Sequence, residues 1–159
     1  THNESPVKNG VKSLTLDPEA DQALIHQWRT ELPRLMWQAA GICREGTVLQ
    51  TAIAQVEQWR GEWQQLSLSQ RLSDLPVGVT ITLAGTDQTD QSELIQHWAE
   101  VGNLLDVAYL ILKSALFRQE SRGGHYRLDF SHTDPQWQGH TVVEQDQWQQ
   151  QPIAIPSQG

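Results

Sequence analysis

The chain has 159 residues, 38% of them hydrophobic, which fits one domain with a buried core. A formal charge of -8 argues against nucleic acid as a partner, because nucleic-acid readers present a net basic face that releases counterions from phosphate. Cys43 is the only cysteine, which excludes an internal disulfide and a cysteine-rich zinc site and suits a reducing, cytoplasmic compartment.

No apolar run approaches the roughly 20 residues a bilayer crossing needs, and residues 1–10 lack the regions of a signal peptide, so no membrane partner is expected. The first residue is Thr1 rather than methionine, which leads us to expect a processed protein or an excised domain separated from its neighbour. Residues 1–16 are polar, contain Pro6 and Gly10 and show no sustained period, the pattern of a flexible lead-in. At Asp17, Pro18 and Glu19 a cap, a residue suited to the first helical position and an acidic first turn coincide, so a helix begins here. Leu24, Trp28, Leu32, Leu35, Ala39 and Ile42 lay one apolar stripe along it, and Pro33 predicts a break near residues 30–32.

A second helix, residues 45–70, places Leu49, Ala52, Val56, Trp59, Trp63 and Leu66 on one face, with the tryptophans as core packing. Residues 67–91 lose the period and gather Pro76, Gly78 and Gly85, which predicts a long connection; Val77, Val79, Ile81 and Leu83 alternate as in a short strand. The third helix, residues 90–119, carries Leu94, Trp98, Val101, Leu105, Ala108, Leu112 and Ala115, with Ile95, Leu104, Val107 and Ile111 widening the stripe. Roughly 30 residues at about 1.5 Å each span about 45 Å, enough to run the length of a bundle. The expectation is an all-α fold: a three-helix bundle, spectrin-repeat-like and up-down-up, over residues 17–141. A long loop would join helices 2 and 3, and residues 142–159 would form an irregular tail lying over the bundle or a partner. Within that tail Val142 and Val143 are candidates for a short strand.

The densest polar chemistry lies in residues 118–130, where Arg118, Glu120, Arg122, His125, Arg127 and Asp129 surround Gly123 and Gly124. The two glycines permit positive φ and a sharp exit from the long helix. His125, His132 and His140 with Asp129 and Asp134 have spacings that match no zinc motif, so no metal is assigned. Ser121, His125 and Asp129 suggest a hydrolytic triad, but the glycines interrupt a shared helical face and no nucleophile elbow surrounds Ser121. No Gly-x-Gly-x-x-Gly occurs, which argues against dinucleotide binding within this chain. Two readings remain for Arg118, Glu120 and Arg122: helix-end salt bridges, or an arginine fork that grips backbone or a carboxylate of another domain.

These residues carry a family likeness. Residues 118–130, Arg-Gln-Glu-Ser-Arg-Gly-Gly-His-Tyr-Arg-Leu-Asp-Phe, resemble the Arg-x-Glu-Ser-Arg-Gly-x-His-x-Arg-x-Asp-Phe signature of the succinate dehydrogenase and fumarate reductase flavoproteins, in their C-terminal helical domain. Residues 35–53 (LMWQAAGICREGTVLQTAI) and 103–116 (NLLDVAYLILKSAL) resemble that domain's helices, and the likeness covers about residues 24–141. The form Gly124-His125-Tyr126-Arg127 and the short tail look more like the L-aspartate oxidases of the family; Ser131 departs from it, standing where proline is usual.

The resemblance implies a parent enzyme that binds FAD and oxidises L-aspartate to iminoaspartate, the first step of NAD biosynthesis, with oxygen or fumarate as acceptor. It implies a partner too, the FAD-binding domain of the same polypeptide, which holds the flavin and the substrate-binding side chains. No catalytic, cofactor-binding or metal residue is then expected in this chain. Arg118, Glu120, Ser121, Arg122, Gly123, Gly124, His125, Arg127 and Asp129 carry over as the family signature and an interdomain corner. Two alternatives stay open: a free-standing helical interaction module, and a fragment of a succinate dehydrogenase flavoprotein.

Overall fold

Three long helices carry the core of the computed structural model, which describes residues 12–14, 18–76, 81–83 and 88–153. Helix α1 (Pro18–Ala40) begins at the expected proline. It also runs unbroken through Pro33, against the expected interruption. Pro33 is on the solvent side, while Trp28, Leu32 and Ala39 are buried on either side of it, so packing holds a turn that local chemistry disfavours. Ile42 lies beyond the helix end and is exposed, not part of the stripe.

Helix α2 (Gly46–Gln65) buries Leu49, Ala52, Val56 and Trp59, the face its spacing dictates. The predicted long connection begins instead with a short helix, α3 (Ser67–Ser73). Its start is closed by Asp21 of α1, whose carboxylate accepts from the backbone N–H of Ser67 at 3.2 Å and of Leu68 at 3.0 Å. A segment this short shows no period, and its cap comes from another helix, so local sequence could not announce it.

Helix α4 (Gln88–Phe117) buries Leu94, Val101, Leu105, Ala108, Leu112 and Ala115 against α1 and α2. It stops at Phe117, short of the glycine pair expected to end it. The stretch Leu104, Val107 and Ile111, expected to widen the buried stripe, is exposed. Trp63 and Trp98 stack at 4.8 Å between ring centroids, and the Trp63 indole N–H donates to the Trp98 carbonyl at 3.1 Å. Beside them Gly102 permits the closest approach of α2 to α4, because a Cβ there would lie 2.6 Å from the Trp63 ring.

The chain is mostly helical, as expected, but the all-α expectation is corrected by three two-stranded sheets among the described residues. Strand β1 (Lys12–Leu14) pairs in parallel with β3 (Ile81–Leu83), so part of the expected lead-in is ordered as a strand. Val77 and Val79 of the predicted strand lie outside the described residues. Strands β2 (Cys43–Arg44) and β4 (Tyr126–Arg127) also pair in parallel.

The C-terminal segment is not irregular through Pro152. Strands β5 (Gly139–Glu144) and β6 (Gln147–Pro152) form an antiparallel hairpin that includes Val142 and Val143. Gln145 and Asp146 join them, both at positive φ, the two-residue type I′ geometry that matches strand twist. The hairpin lies over α4. Trp148 meets Tyr109 edge-on at 6.0 Å and donates its indole N–H to Ser114 Oγ at 3.0 Å, while the Tyr109 hydroxyl donates to Asp146 at 3.0 Å. Burial, and then this bond to Asp146, raise the Tyr109 pKa.

Alanine at an ordinary helical glycine stabilises by about 0.5–1 kcal/mol. At Gly102 the sign should reverse, because the stacked Trp63 ring cannot swing away. Urea unfolding of Gly102→Ala should show a loss of about 1–3 kcal/mol, and a variant as stable as the parent would refute the close helix contact.

Candidate functional site: a charged corner that closes three helix ends

A helix leaves its last carbonyls and first N–H groups without partners. Near one end of this molecule, α1 and α4 stop and α2 starts; residues 118–130 supply partners to the end of α4 and the start of α2, and Arg44, itself bonded to that segment, meets the end of α1. Arg127 is central, with its side chain inside the protein at 1% exposure. Its Nη1 donates to the carbonyls of Ala115 at 2.8 Å and Leu116 at 3.1 Å, capping α4. Its Nε and Nη2 form a fork onto Asp129, at 2.7 and 2.6 Å.

Asp129 then reaches the start of α2, where its Oδ2 accepts from the Gly46 N–H at 3.0 Å. A Cβ on residue 46 would lie 2.8 Å from that same oxygen, so glycine is what lets the carboxylate approach. Cation at a helix C-terminus and anion at a helix N-terminus both complement the helix dipoles. The Arg127 fork, helped by the Gly46 N–H, lowers the Asp129 pKa from 3.8 to about 2.

The third helix end is met by Arg44, which donates to the last carbonyl of α1, that of Ala40, at 3.2 Å and to the Gly124 carbonyl at 2.9 Å. Arg44 was not singled out from the sequence, although a basic residue just past a helix-terminal glycine is a known C-terminal signal. The β2–β4 pair zips the same seam, continued by the Leu128 N–H donating to the Arg44 carbonyl at 2.8 Å.

Glu120 organises the rest and is fully buried, at 0% exposure. Its carboxylate accepts from Arg118 at 2.6 Å, from Arg122 at 2.9 and 3.0 Å, and from the backbone N–H of Asp134 at 3.0 Å. The Arg122 fork foremost, with the Asp134 N–H and Arg118, lowers its pKa from 4.5 to about 2. Of the two sequence readings for this trio, the geometry realises the salt bridges within the chain, and the Arg122 fork is taken up by Glu120. Arg118 also donates to the Trp137 carbonyl at 2.7 Å, which ties the approach to the C-terminal hairpin.

Ser121 is a structural joint. Its Oγ donates to the Phe130 carbonyl at 2.8 Å and accepts from the Arg127 N–H at 2.9 Å. Gly123, at φ +57, and Gly124 occupy a tight turn whose flanking residues Arg122 and His125 exchange two backbone hydrogen bonds. Positive φ at the first turn position favours glycine there. His125 Nε2 lies 3.2 Å from the Arg118 carbonyl, which can only accept, so the ring carries its proton on Nε2. Burial first, and then the cations Arg44, Arg127 and Arg118, lower the His125 pKa.

Ser121, His125 and Asp129 are thus each engaged separately by backbone or Arg127 and form no relay. Among the described residues no three His, Cys, Asp or Glu side chains converge as a metal site. The described strands form isolated two-stranded pairs and not a wound parallel sheet of the dinucleotide-binding kind. No helix among the described residues is long and apolar enough to cross a membrane.

Because Glu120 and Asp129 have lower pKa values folded than unfolded, their stabilisation is in full above about pH 4.5 and is lost as the pH falls through about 2. Replacing Glu120 by Gln removes the buried charge that holds Arg118 and the partly exposed Arg122. Denaturant unfolding at neutral pH should show a loss of about 1.5–3 kcal/mol, the value of charge-assisted hydrogen bonds, with a shallower decline in stability on acidification than the parent. A loss below about 1 kcal/mol, the usual value of an exposed pair, would refute the bracing role.

Comparison with known proteins matches residues 29–156 to the family described as fumarate reductase flavoprotein C-term. The chain is 55% identical to L-aspartate oxidase from Synechocystis sp. over 89% of its own length and 25% of that protein's. It is 54% identical to L-aspartate oxidase from Nostoc sp. over 79% of its length and 21% of that protein's. Against the fumarate reductase flavoprotein subunit of Haemophilus influenzae the identity is 29%, over 67% of this chain and 15% of that one. The chain therefore spans about a quarter or less of the length of these relatives. With the family match covering most of its length and the signature residues forming one structural unit, the chain belongs to the fumarate reductase flavoprotein C-terminal family.

Proposed function

We infer that this chain is the C-terminal domain of an L-aspartate oxidase, an FAD-dependent oxidoreductase that converts L-aspartate to iminoaspartate at the start of NAD biosynthesis. The observation that carries this reading is the 55% identity to a named L-aspartate oxidase across 89% of the chain. FAD and substrate are held by the preceding FAD-binding domain of the same polypeptide, and the present residues contribute support rather than chemistry. A cytoplasmic setting fits the low cysteine content, with Cys43 alone and exposed.

In this reading α1, α2 and α4 are the up-down-up bundle of a unit spanning residues 17–141. Their mutual packing and the short link at residues 41–45 support it. The hairpin straps the bundle through Trp148. Residues 118–130 act as an interdomain corner in two layers. Arg118, Glu120, Ser121, Arg127 and Asp129 brace the helix ends, with Arg122 closing the carboxylate from outside. Gly123, Gly124 and His125, with exposed Tyr126, Leu128 and Phe130, face the neighbouring domain.

Expression of the complete reading frame should give a yellow protein that oxidises L-aspartate and leaves succinate untouched, while the 159-residue chain alone should be colourless after desalting and inactive. Succinate oxidation instead would assign the domain to a succinate dehydrogenase flavoprotein. A reading frame that starts near Thr1, with no flavoprotein segment upstream, would overturn the assignment in favour of a free-standing module.

A further inference from the structure

Between Val101 and Leu112 only Gly102, Asn103 and Asp106 are not apolar or aromatic, so α4 is hydrophobic around most of its circumference. A helix of that kind is normally covered on every side. One side is covered, since Val101, Leu105, Ala108 and Leu112 are buried. The other is open: Leu104 is 42% exposed, Val107 52%, Leu110 43% and Ile111 46%. Leu104, Val107 and Ile111 follow steps of three and four and share one face, with Leu110 beside it.

This face continues into a groove of about 530 Å³ walled by Val107, Leu110 and Ile111 and bounded at its far end by Arg44, Gly124 and His125. The apolar side of α4 and the glycine turn of the charged corner are therefore parts of one surface. None of the residues lining the groove is acidic, although the chain as a whole carries a charge of -8. A second copy of the chain would have to match this surface with itself, and a two-fold contact offers the Arg44 end no anionic counterpart. The complement must be a different surface, apolar along α4 and carrying acceptors opposite Arg44 and His125.

We propose that the Leu104–Val107–Ile111 face of α4, together with the Arg44 and His125 end of its groove, is the docking surface for the part of the same polypeptide that precedes this domain. The proposal rests on the reading of the chain as the C-terminal piece of a longer flavoprotein. That reading supplies the occupant, because most of the Synechocystis relative lies outside the 25% of its length that matches here. Covalent connection also makes the contact intramolecular, so a moderate apolar surface suffices to hold it.

Cysteine accessibility measures the cover directly. In a Cys43→Ser background, Ile111→Cys and, separately, Leu104→Cys are reacted with a maleimide, and the labelled peptide is followed by mass spectrometry. The same substitutions are made in the 159-residue chain and in the complete polypeptide, with Gln50→Cys on the exposed side of α2 as the control. Residues 104 and 111 should label at least about tenfold more slowly in the complete polypeptide, while residue 50 labels alike in both. Equal rates at 104 and 111 in a complete, flavin-containing protein would overturn the docking face and leave the family reading intact. Absence of any upstream segment would overturn both. Protection already present in the 159-residue chain, rising with its concentration and accompanied by a dimer mass, would assign the face to a second copy and overturn the proposal.

Discussion

The ion pair between buried Arg127 and the more exposed Asp129 is the contact on which the arrangement of the long helices depends. It spans from the last carbonyls of α4 to the first N–H of α2, so one ion pair fixes the end of one helix against the start of another. An apolar side chain in the place of Arg127 would fill the volume but leave carbonyls of Ala115 and Leu116 without donors. Buried orphaned backbone groups are costly, and several would sit together at one point. The ion pair is thus tied to chain geometry in a way that generic packing is not.

The same logic explains why charge is concentrated where the chain is least regular. Desolvating Glu120 is expensive, and only the convergence of Arg118, Arg122 and the Asp134 N–H offsets it. Each of those donors comes from a different bend in residues 118–134, so the carboxylate acts as the hub around which an otherwise loop-like segment is wound. Because the donors and acceptors satisfy one another, Arg127 and Glu120 are hidden, and the segment exposes Tyr126, Leu128 and Phe130 beside Arg122 and Asp129. A motif rich in charge in the sequence thus turns its central ionic groups inward and sets apolar side chains beside the outer ones.

This inversion marks the limit of what could be read from the sequence. The long helices and the faces they bury were legible because periodicity reports a burial pattern repeated over many turns, and Leu49, Val56, Leu105 and Leu112 all sit where their spacing puts them. Helix α3 was not legible, since it is too short to repeat and its cap, Asp21, belongs to another element. Pro33 misled for the complementary reason: local chemistry at one residue was weighed without the packing on both sides of it. The hairpin was visible only as Val142 and Val143, because its anchors Trp148 and Asp146 meet partners on α4 that lie far off in sequence and its second strand, β6, is mostly glutamine. Among the signature residues the glycine turn was foreseeable from residue type. Which carboxylate met which arginine was not, since Asp129 and Gly46 are far apart in sequence.

The helix α4 stripe shows a further consequence of reading burial from spacing. Leu104, Val107 and Ile111 have the same apolar character and the same period as Leu105, Ala108 and Leu112, yet the two sets differ in exposure. Sequence pattern records that a side chain is meant to be covered, and it does so whether the cover lies in the same segment or another. In a chain that spans about a quarter of the length of its Synechocystis relative, the pattern therefore contains more buried surface than the segment builds for itself. The excess is not spread evenly. Four neighbouring members, Leu104, Val107, Leu110 and Ile111, lie together on the side of α4 whose groove ends at Arg44, Gly124 and His125, where the ionic joint closes the helix ends. A rigid apolar face needs little reorganisation to meet a partner, so the joint that closes the bundle also pre-organises the surface it leaves open.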